Sequence, residues 1–139
     1  MIVADTIVVS ELMRVEPSAA VLAWVLAQGD HELRITAITV AEILHGIERL
    51  PDGKRKSELR EATVRVFSQF AKSILPFDAA AATVYAEIVD QRDRQGMPIS
   101  GYDAQIAAIC RTNSAALATR NDKDFDSVGV ELINPWLTT

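Results

Sequence analysis

The stretch Met1-Ile-Val-Ala-Asp-Thr-Ile-Val-Val-Ser-Glu11 decides the fold class that this sequence predicts. Its first four residues are apolar without polar alternation, which is typical of a strand covered on both faces of a parallel sheet. The run stops at Asp5, and residues 8–14 can then form a helix. Open α/β sheets bind their ligands at the carboxyl ends of central strands, so Asp5 is a candidate site residue. An equally good interpretation is that Asp5 caps the helix that follows.

Strand and helix patterns continue to alternate along the chain. The other strand candidates are residues 33–37, 74–77, 116–119 and 130–133, and the other helix candidates are residues 17–28, 39–50, 54–73, 79–95 and 104–113. Pro76 indicates that its strand lies at an edge of the sheet or ends there. The alternation predicts an α/β fold with three layers around a mainly parallel sheet.

Length and composition restrict the class of protein. The chain has 139 residues, 49% hydrophobic and 24% charged, which predicts a single globular domain over residues 1–139. The formal net charge of −5 excludes attraction of nucleic acid by overall charge, so such a contact would need a local basic patch. No basic segment precedes a long apolar stretch at the start, and no run is long enough to span a membrane. We therefore expect a cytoplasmic protein without membrane association.

The cysteine and histidine content excludes two kinds of site. A disulfide framework or a zinc site needs more ligands than Cys110, His31 and His45 supply. Cys110 falls in an apolar helical pattern and is expected to be a small buried side chain. His31 lies in a polar turn, where we expect it to be solvated. Glu42 and His45 form one E-x-x-H pair, but a di-iron bundle needs two. His45 is therefore interpreted as a partly buried polar residue or a substrate contact.

Carboxylates recur where a strand ends or a helix begins. They are Asp5, Glu42, Asp103 and one of the pair Asp122 and Asp124. In a parallel sheet these two kinds of position gather at one edge, so we expect the acids to converge. Oxygen ligands suit Mg²⁺ or Mn²⁺, and the mutual repulsion of close carboxylates makes a metal-free cluster costly. The pattern therefore predicts a site for a hard cation.

Each acid also has an ordinary structural explanation. Glu42 stands three residues after Thr39, and Asp103 three residues after Ser100, so both fit the capping-box pattern at a helix start. The loop acids fit solvent exposure, and Glu11 fits a surface position on the first helix. The sequence alone leaves these alternatives open.

Five blocks, which together span almost the entire chain, carry a family resemblance. They are Ile2-Val-Ala-Asp-Thr6 with Val8-Val-Ser-Glu-Leu12, Ile38-Thr-Val-Ala-Glu42, Asp103-Ala-Gln-Ile-Ala-Ala108, Ala118-Thr-Arg-Asn-Asp-Lys-Asp-Phe125 and Asn134-Pro-Trp136. Together they resemble the PIN-domain ribonucleases, most closely the VapC toxins and their FitB-like branch. The resemblance implies a three-layer α/β/α sandwich and hydrolysis of RNA phosphodiesters with Mg²⁺ or Mn²⁺. It also implies a homodimer and a VapB-like antitoxin, through which alone the toxin meets DNA.

The resemblance assigns roles to individual residues. The metal ligands and catalytic acids would be Asp5, Glu42, Asp103 and Asp124, and the supporting positions would be Thr6, Thr119 and Asn121. Asp122 is the alternative acid of the same loop. The opening motif of the family runs Asp-Thr-Asn, whereas the third residue here is Ile7. Isoleucine cannot hydrogen-bond a ligating carboxylate, so this departure predicts weaker metal binding and slower cleavage.

The leading hypothesis is a metal-dependent endoribonuclease that is the toxin of a type II toxin–antitoxin pair. The alternative, favoured by Ile7, is a catalytically weakened homologue that acts mainly as an antitoxin-binding module. A haloacid-dehalogenase-type phosphatase would need an aspartate at that position. The basic segment Lys54-Arg-Lys56, with Arg49 and Arg120, is the candidate contact for the RNA backbone, although such clusters are most often a solvated helix face.

Overall fold

The computed structural model describes residues 1–29, 32–71 and 74–137. Over these residues strands and helices alternate as predicted. The strands are β1 (Ile2–Ala4), β2 (Leu33–Thr36), β3 (Ile74–Leu75), β4 (Ala116–Ala118) and β5 (Leu132–Ile133). The α-helices are α1 (Thr6–Leu12), α2 (Ala19–Ala27), α3 (Ala37–Glu48), α4 (Lys54–Ser68), α5 (Ala79–Arg94) and α6 (Gly101–Thr112), and a 3₁₀ turn occupies Asp122–Phe125.

The strands form one parallel sheet in the order β3-β2-β1-β4-β5, with β1 at its centre. The predicted parallel sheet is therefore confirmed. Ala4 of β1 is in register with Ala118 of β4, so Asp5 and Thr119 leave the sheet side by side. Pro76 directly follows β3, which is an edge strand as the proline indicated.

Successive residues of the two central strands serve opposite faces of the sheet. Val3 and Leu117 belong to a core that contains α5 and α6, whereas Ala4 and Ala118 belong to a core formed with α1 to α4. Helices thus cover both faces, which confirms the three-layer architecture. It also explains why the opening run lacks polar alternation, because neither face of β1 meets water.

Helix starts are set by local caps, with one correction. Ser18, Asp78 and Ser100 each accept a hydrogen bond from the backbone N–H three residues later, at 3.4, 2.9 and 3.2 Å. The capping box expected at Thr39 is wrong. Thr36 caps α3 instead, because its Oγ1 accepts the backbone N–H of Thr39 at 3.1 Å. Thr39 itself lies inside the first turn.

Two charged residues that were expected on the surface are buried. Glu11 is only 7% exposed. Its carboxylate accepts the Ser18 backbone N–H at 3.0 Å and pairs with Arg14 Nη1 at 3.4 Å, so it ties α1 to the start of α2. Lys56, expected on a solvated face, is 7% exposed because its Nζ donates to the carbonyl of Glu48 at 3.2 Å.

The remaining expectations divide between confirmed and corrected ones. Cys110 is buried, and burial raises the pKa of its thiol to about 12. His45 is exposed, so its predicted partial burial is wrong. His31 and the expected helix end at Ser73 lie outside the described residues, and α4 ends at Ser68. None of the helices in the described ranges is long and apolar enough to cross a membrane.

Candidate active site

Asp5 stands at the carboxyl end of the central strand and also caps α1, so its capping role is confirmed and its role as a site residue stays a prediction. Its side chain is 4% exposed. Oδ1 accepts the backbone N–H of Thr6 at 2.8 Å, and Oδ2 accepts the hydroxyl of Thr119 at 2.9 Å. Burial raises the pKa of Asp5 to about 6, the two hydrogen bonds oppose this rise, and the charges of Asp103 and Glu42 add to it. Asp5 is therefore an acid held among other acids.

Glu42 is directed by a chain of three threonine hydroxyls. The Thr6 hydroxyl donates to Glu42 Oε1 at 2.8 Å. Its oxygen lies 2.9 Å from the Thr39 hydroxyl, which must be the donor of that pair because the Thr6 proton is already used. Thr36 in turn donates to Thr39 at 3.4 Å. A chain of this polarity strengthens each of its bonds and ends on the carboxylate.

The position of Glu42 excludes the capping explanation for this acid. Because α3 begins at Ala37, Glu42 lies in its second turn, beyond the backbone N–H groups of the helix start. Burial raises its pKa, the hydrogen bond from Thr6 opposes the rise, and the charge of Asp103 adds to it. The charge of Asp103 therefore raises the pKa values of both Glu42 and Asp5.

Asp103 lies in the first turn of α6, where the capping prediction is confirmed for its backbone. Its carboxyl group is half-buried, and burial raises its pKa. A hydrogen bond from Ser100 lowers the pKa, the charge of Asp124 raises it, and the charge of Arg92 lowers it. Asp124 contributes to this effect whereas Asp122 does not, which favours Asp124 as the acid of the loop. Both loop acids are exposed.

Thr119 joins the acidic loop to the centre of the site. It is fully buried, and while its hydroxyl donates to Asp5 it accepts the backbone N–H of Asn121 at 3.1 Å. Asn121 therefore enters the site through its backbone, and its side chain is exposed. Of the three supporting residues, Thr6 and Thr119 contact the acids directly.

Arg92 is a site residue that the sequence patterns did not reveal. It lies on α5, is 4% exposed, and donates from Nη1 to the carbonyls of Asp124 at 3.0 Å and Asp126 at 2.8 Å. Its Nε donates to the carbonyl of Met97 at 2.6 Å. Arg92 thereby holds the backbone of the acidic loop in place. The sequence feature that could have indicated a buried Arg92 is its spacing along α5, which is that of a residue facing the core.

The four acids have the donor chemistry that a hard cation prefers. In the part of the chain that the structure describes, none of them forms an ion pair with lysine or arginine. Across those same residues, no three side chains of the His, Cys, Asp and Glu types are close enough together to enclose a metal ion. Mg²⁺ is usually held by one or two carboxylates and several waters, so the open arrangement fits that ion.

A groove of about 1110 Å³ opens beside Glu42, between α1, α3 and α4. Thr6 and Glu42 line it, so it is continuous with the acidic site. Its other lining residues include the apolar Ile43, Ile47 and Leu59 and the basic Arg55 and Arg65. Glu58 and Glu61 line it as well, so the groove combines an apolar floor with charges of both signs.

A family model and curated relatives match nearly the whole of this chain. The PIN domain model matches residues 2–131. The chain belongs to the PIN-domain family. Over 137 residues it is 40% identical to the VapC ribonuclease Y4jK of Sinorhizobium fredii, with 98% of each chain covered. It is 37% identical to Toxin FitB of Neisseria gonorrhoeae over 137 residues, with 98% of this chain and 99% of FitB covered.

A solved structure supports the same assignment. FitAB bound to an IR36 DNA fragment matches this PIN domain with a TM-score of 0.90 and 36% identity, covering 100% of this chain and 98% of that one. The resemblance to VapC and FitB toxins and the PIN-like α/β/α fold are thereby confirmed. The roles of the individual acids stay predictions.

Ile7, where this PIN domain departs from the family motif, is half-buried and packs against the core formed with α1 to α4. Its neighbours in that core include Val8 and Val9. The side chain therefore contributes apolar packing beside the acids. The predicted effect of Ile7 on metal binding stays a prediction.

Proposed function

We propose that this PIN domain is a divalent-metal-dependent endoribonuclease and the toxin of a type II toxin–antitoxin pair. The observation that carries the proposal is Asp5, a buried acid whose pKa is raised to about 6 among Glu42 and Asp103 without a cationic partner in the described chain. Such a group is stabilised by a bound cation. The relative named VapC ribonuclease supports RNA as the substrate.

The acids divide the chemistry between them. Asp5, Asp103 and Asp124 would hold Mg²⁺ or Mn²⁺ together with several waters, with Thr119 fixing the orientation of Asp5. When bound, such an ion polarises a phosphate and lowers the pKa of a water molecule. Hydrolysis by in-line attack would leave a 5′-phosphate and a 3′-hydroxyl.

Glu42 would complete the ligand set or orient the attacking water. Thr6 engages its Oε1, so Oε2 is the atom assigned to this role. Because burial raises the pKa of Glu42, it takes up a proton more readily than an exposed glutamate does.

The direct test is cleavage of RNA by the purified protein. We expect cleavage with Mg²⁺ or Mn²⁺, none with EDTA, and none by the Asp5→Asn variant. Cleavage that persists in EDTA would contradict metal dependence. A folded wild-type protein that cuts no RNA with either metal would contradict the nuclease proposal.

A catalytically weakened, antitoxin-binding homologue is the second candidate, and Ile7 is the observation that favours it. An aliphatic side chain there cannot donate a hydrogen bond to a ligating carboxylate. This candidate predicts tight binding of the antitoxin together with RNA cleavage no faster in the wild type than in Asp5→Asn.

The proposed partners follow from the relatives and the groove. We propose that a VapB-like antitoxin lays a tail along the groove beside Glu42, and that DNA is bound by the antitoxin rather than by this chain. The structure of FitAB bound to a DNA fragment supports an antitoxin partner and a complex that binds DNA. Both partners and the RNA substrate would be met in the cytoplasm.

A homodimer is proposed as well. Leu22 and Leu26 on α2 are 40% and 75% exposed, and an all-apolar helix of this kind is usually covered. Sedimentation of the purified protein at micromolar concentration should show a dimer, and a stable monomer would contradict the claim.

A further inference from the structure

Arg120 stands directly beside the candidate site and is held on an aromatic ring. It is the residue between Thr119 and Asn121, whose backbone and side chains form the link to Asp5. Its guanidinium carbon lies 4.8 Å from the ring centroid of Trp136, which is a cation–π contact. The arginine is thus held on a ring and directly follows the residue that fixes Asp5.

The platform under Arg120 is rigid. The backbone N–H of Trp136 donates to Asn134 Oδ1 at 3.0 Å, and its ring packs against the core that contains Ala4 and Val8. The strands before the two residues are also joined, because the Thr119 N–H donates to the Ile133 carbonyl at 2.9 Å. Stacking fixes one face of the guanidinium and leaves its N–H edges directed outward in the plane.

Arg120 forms no ion pair within the part of the chain that the structure describes, although acidic residues are near it in the sequence. Three aspartates follow within six residues, yet over the described residues Arg120 forms no hydrogen bond or ion pair with any of them. The two lysines of the candidate segment on α4 are engaged, because Lys54 pairs with Glu58 at 3.8 Å and Lys56 is buried on the carbonyl of Glu48. Arg120 therefore keeps its charge available next to the site.

We propose that Arg120, held on Trp136, binds a phosphate of a single RNA strand next to the phosphodiester that is cleaved. The inference rests on the proposed ribonuclease function. RNA phosphates are repelled by the four acids, so a cation fixed next to Thr119 lowers the cost of bringing the strand to them. Guanidinium is the group that matches a phosphate with two parallel hydrogen bonds.

The test is the salt dependence of RNA binding. In an Asp5→Asn background with Mg²⁺, binding of a single-stranded oligoribonucleotide is measured at several salt concentrations. Arg120→Met should weaken binding about tenfold. It should also reduce the slope of log K against log salt by about 0.7, the value for one phosphate contact on a single strand. Arg120→Lys should keep most of the slope while losing part of the affinity.

The matched control is Arg94→Met, which removes the same charge from an exposed position on α5 that pairs with Asp90 at 2.9 Å. It should change neither affinity nor slope by a comparable amount. Trp136→Leu should weaken binding while Arg120 is retained, and Trp136→Phe, which keeps a ring, should restore most of it. Melting temperatures establish that each variant is folded.

The two proposals fail in different ways. If wild type cleaves RNA but Arg120→Met binds it with the affinity and slope of Arg94→Met, the role of Arg120 is overturned and the nuclease function stands. If wild type neither cleaves nor binds RNA, both are overturned. A lower affinity and a shallower slope in Arg120→Met alone support the phosphate contact.

Discussion

The two ends of α1 each carry a buried carboxylate, and the two are treated in opposite ways. Glu11, near the carboxyl end of the helix, has Arg14 and the Ser18 N–H as partners. Asp5, at the other end, has among the described residues only the neutral donors Thr6 and Thr119, and the charged groups that shift its pKa are acids. A buried acid that is paired with a cation of the same chain has a structural role. A buried acid whose charged neighbours are acids is a candidate ligand for a metal ion.

The largest expected effect separates these two acids by substitution. Asp5→Asn should lower RNA cleavage by at least about 10³-fold because an amide is a poor ligand for a hard cation, and the fold should be kept. Glu11→Gln should cleave at nearly the wild-type rate per folded molecule and lose about 1 kcal/mol of stability with its ion pair. Single-turnover cleavage and urea unfolding of both variants measure this. Equal losses of cleavage activity in Asp5→Asn and Glu11→Gln would contradict the different roles assigned to these two acids.

The raised pKa of Asp5 should make the stability of the metal-free protein depend on pH. The pKa of Asp5 is raised from 3.8 to about 6 on folding, so the folded state binds more protons than the unfolded chain between these values. Stability of the metal-free protein therefore falls as the pH rises from about 4 to above 6, by about 3 kcal/mol at most. The raised pKa values of Glu42 and Asp103 act in the same direction.

Added Mg²⁺ should remove this loss at neutral pH and have little effect near pH 4, where protons displace the metal. Thermal unfolding across this pH range with EDTA or Mg²⁺ measures both effects, and Asp5→Asn serves as the control with a flatter profile. A metal-free protein that becomes more stable as the pH rises would contradict the assignment.

Arg92 is a buried cation that donates hydrogen bonds to backbone carbonyls instead of pairing with a carboxylate. Arg92→Lys keeps the charge but cannot reach the carbonyls of Met97, Asp124 and Asp126 together. We expect Mg²⁺ affinity to fall by roughly 10-fold, as for other groups that orient ligands, and amide exchange of residues 122–126 to become faster. Arg94→Lys on the exposed side of the same helix is the control. An unchanged Mg²⁺ affinity in Arg92→Lys would show that Arg92 contributes to packing and does not position the metal ligands.

Ile7→Asn should produce the smallest effect. Asparagine would supply the amide that the family motif places beside the metal ligands, so Mg²⁺ affinity and cleavage rate should rise by up to about tenfold. The core against which Ile7 packs loses an apolar side chain, which lowers the melting temperature. Calorimetry with Mg²⁺ and cleavage rates measure the gain. A folded variant with unchanged Mg²⁺ affinity and cleavage rate would show that Ile7 does not impair the site.

Local patterns predicted much of this protein. The opening apolar run and the alternation of strands and helices indicated a parallel sheet, and the capping-box pattern at Ser100 indicated the start of α6. These features depend on residues within about four positions of each other, where backbone hydrogen bonding restricts the choices. The five sequence blocks indicated the family and with it the candidate acids.

Contacts between distant segments were decided only by the tertiary structure. Thr6 reaches Glu42 across 36 positions, and Arg92 reaches the loop of Asp124 across 32, and neither pairing leaves a periodic trace in the sequence. The same holds for Glu11, whose burial depends on where α2 packs. Residue order determined which acids stand at strand ends and helix starts. The strand order β3-β2-β1-β4-β5 then brought β1, α3 and α6 to one edge, where Asp5, Glu42 and Asp103 influence one another's pKa values.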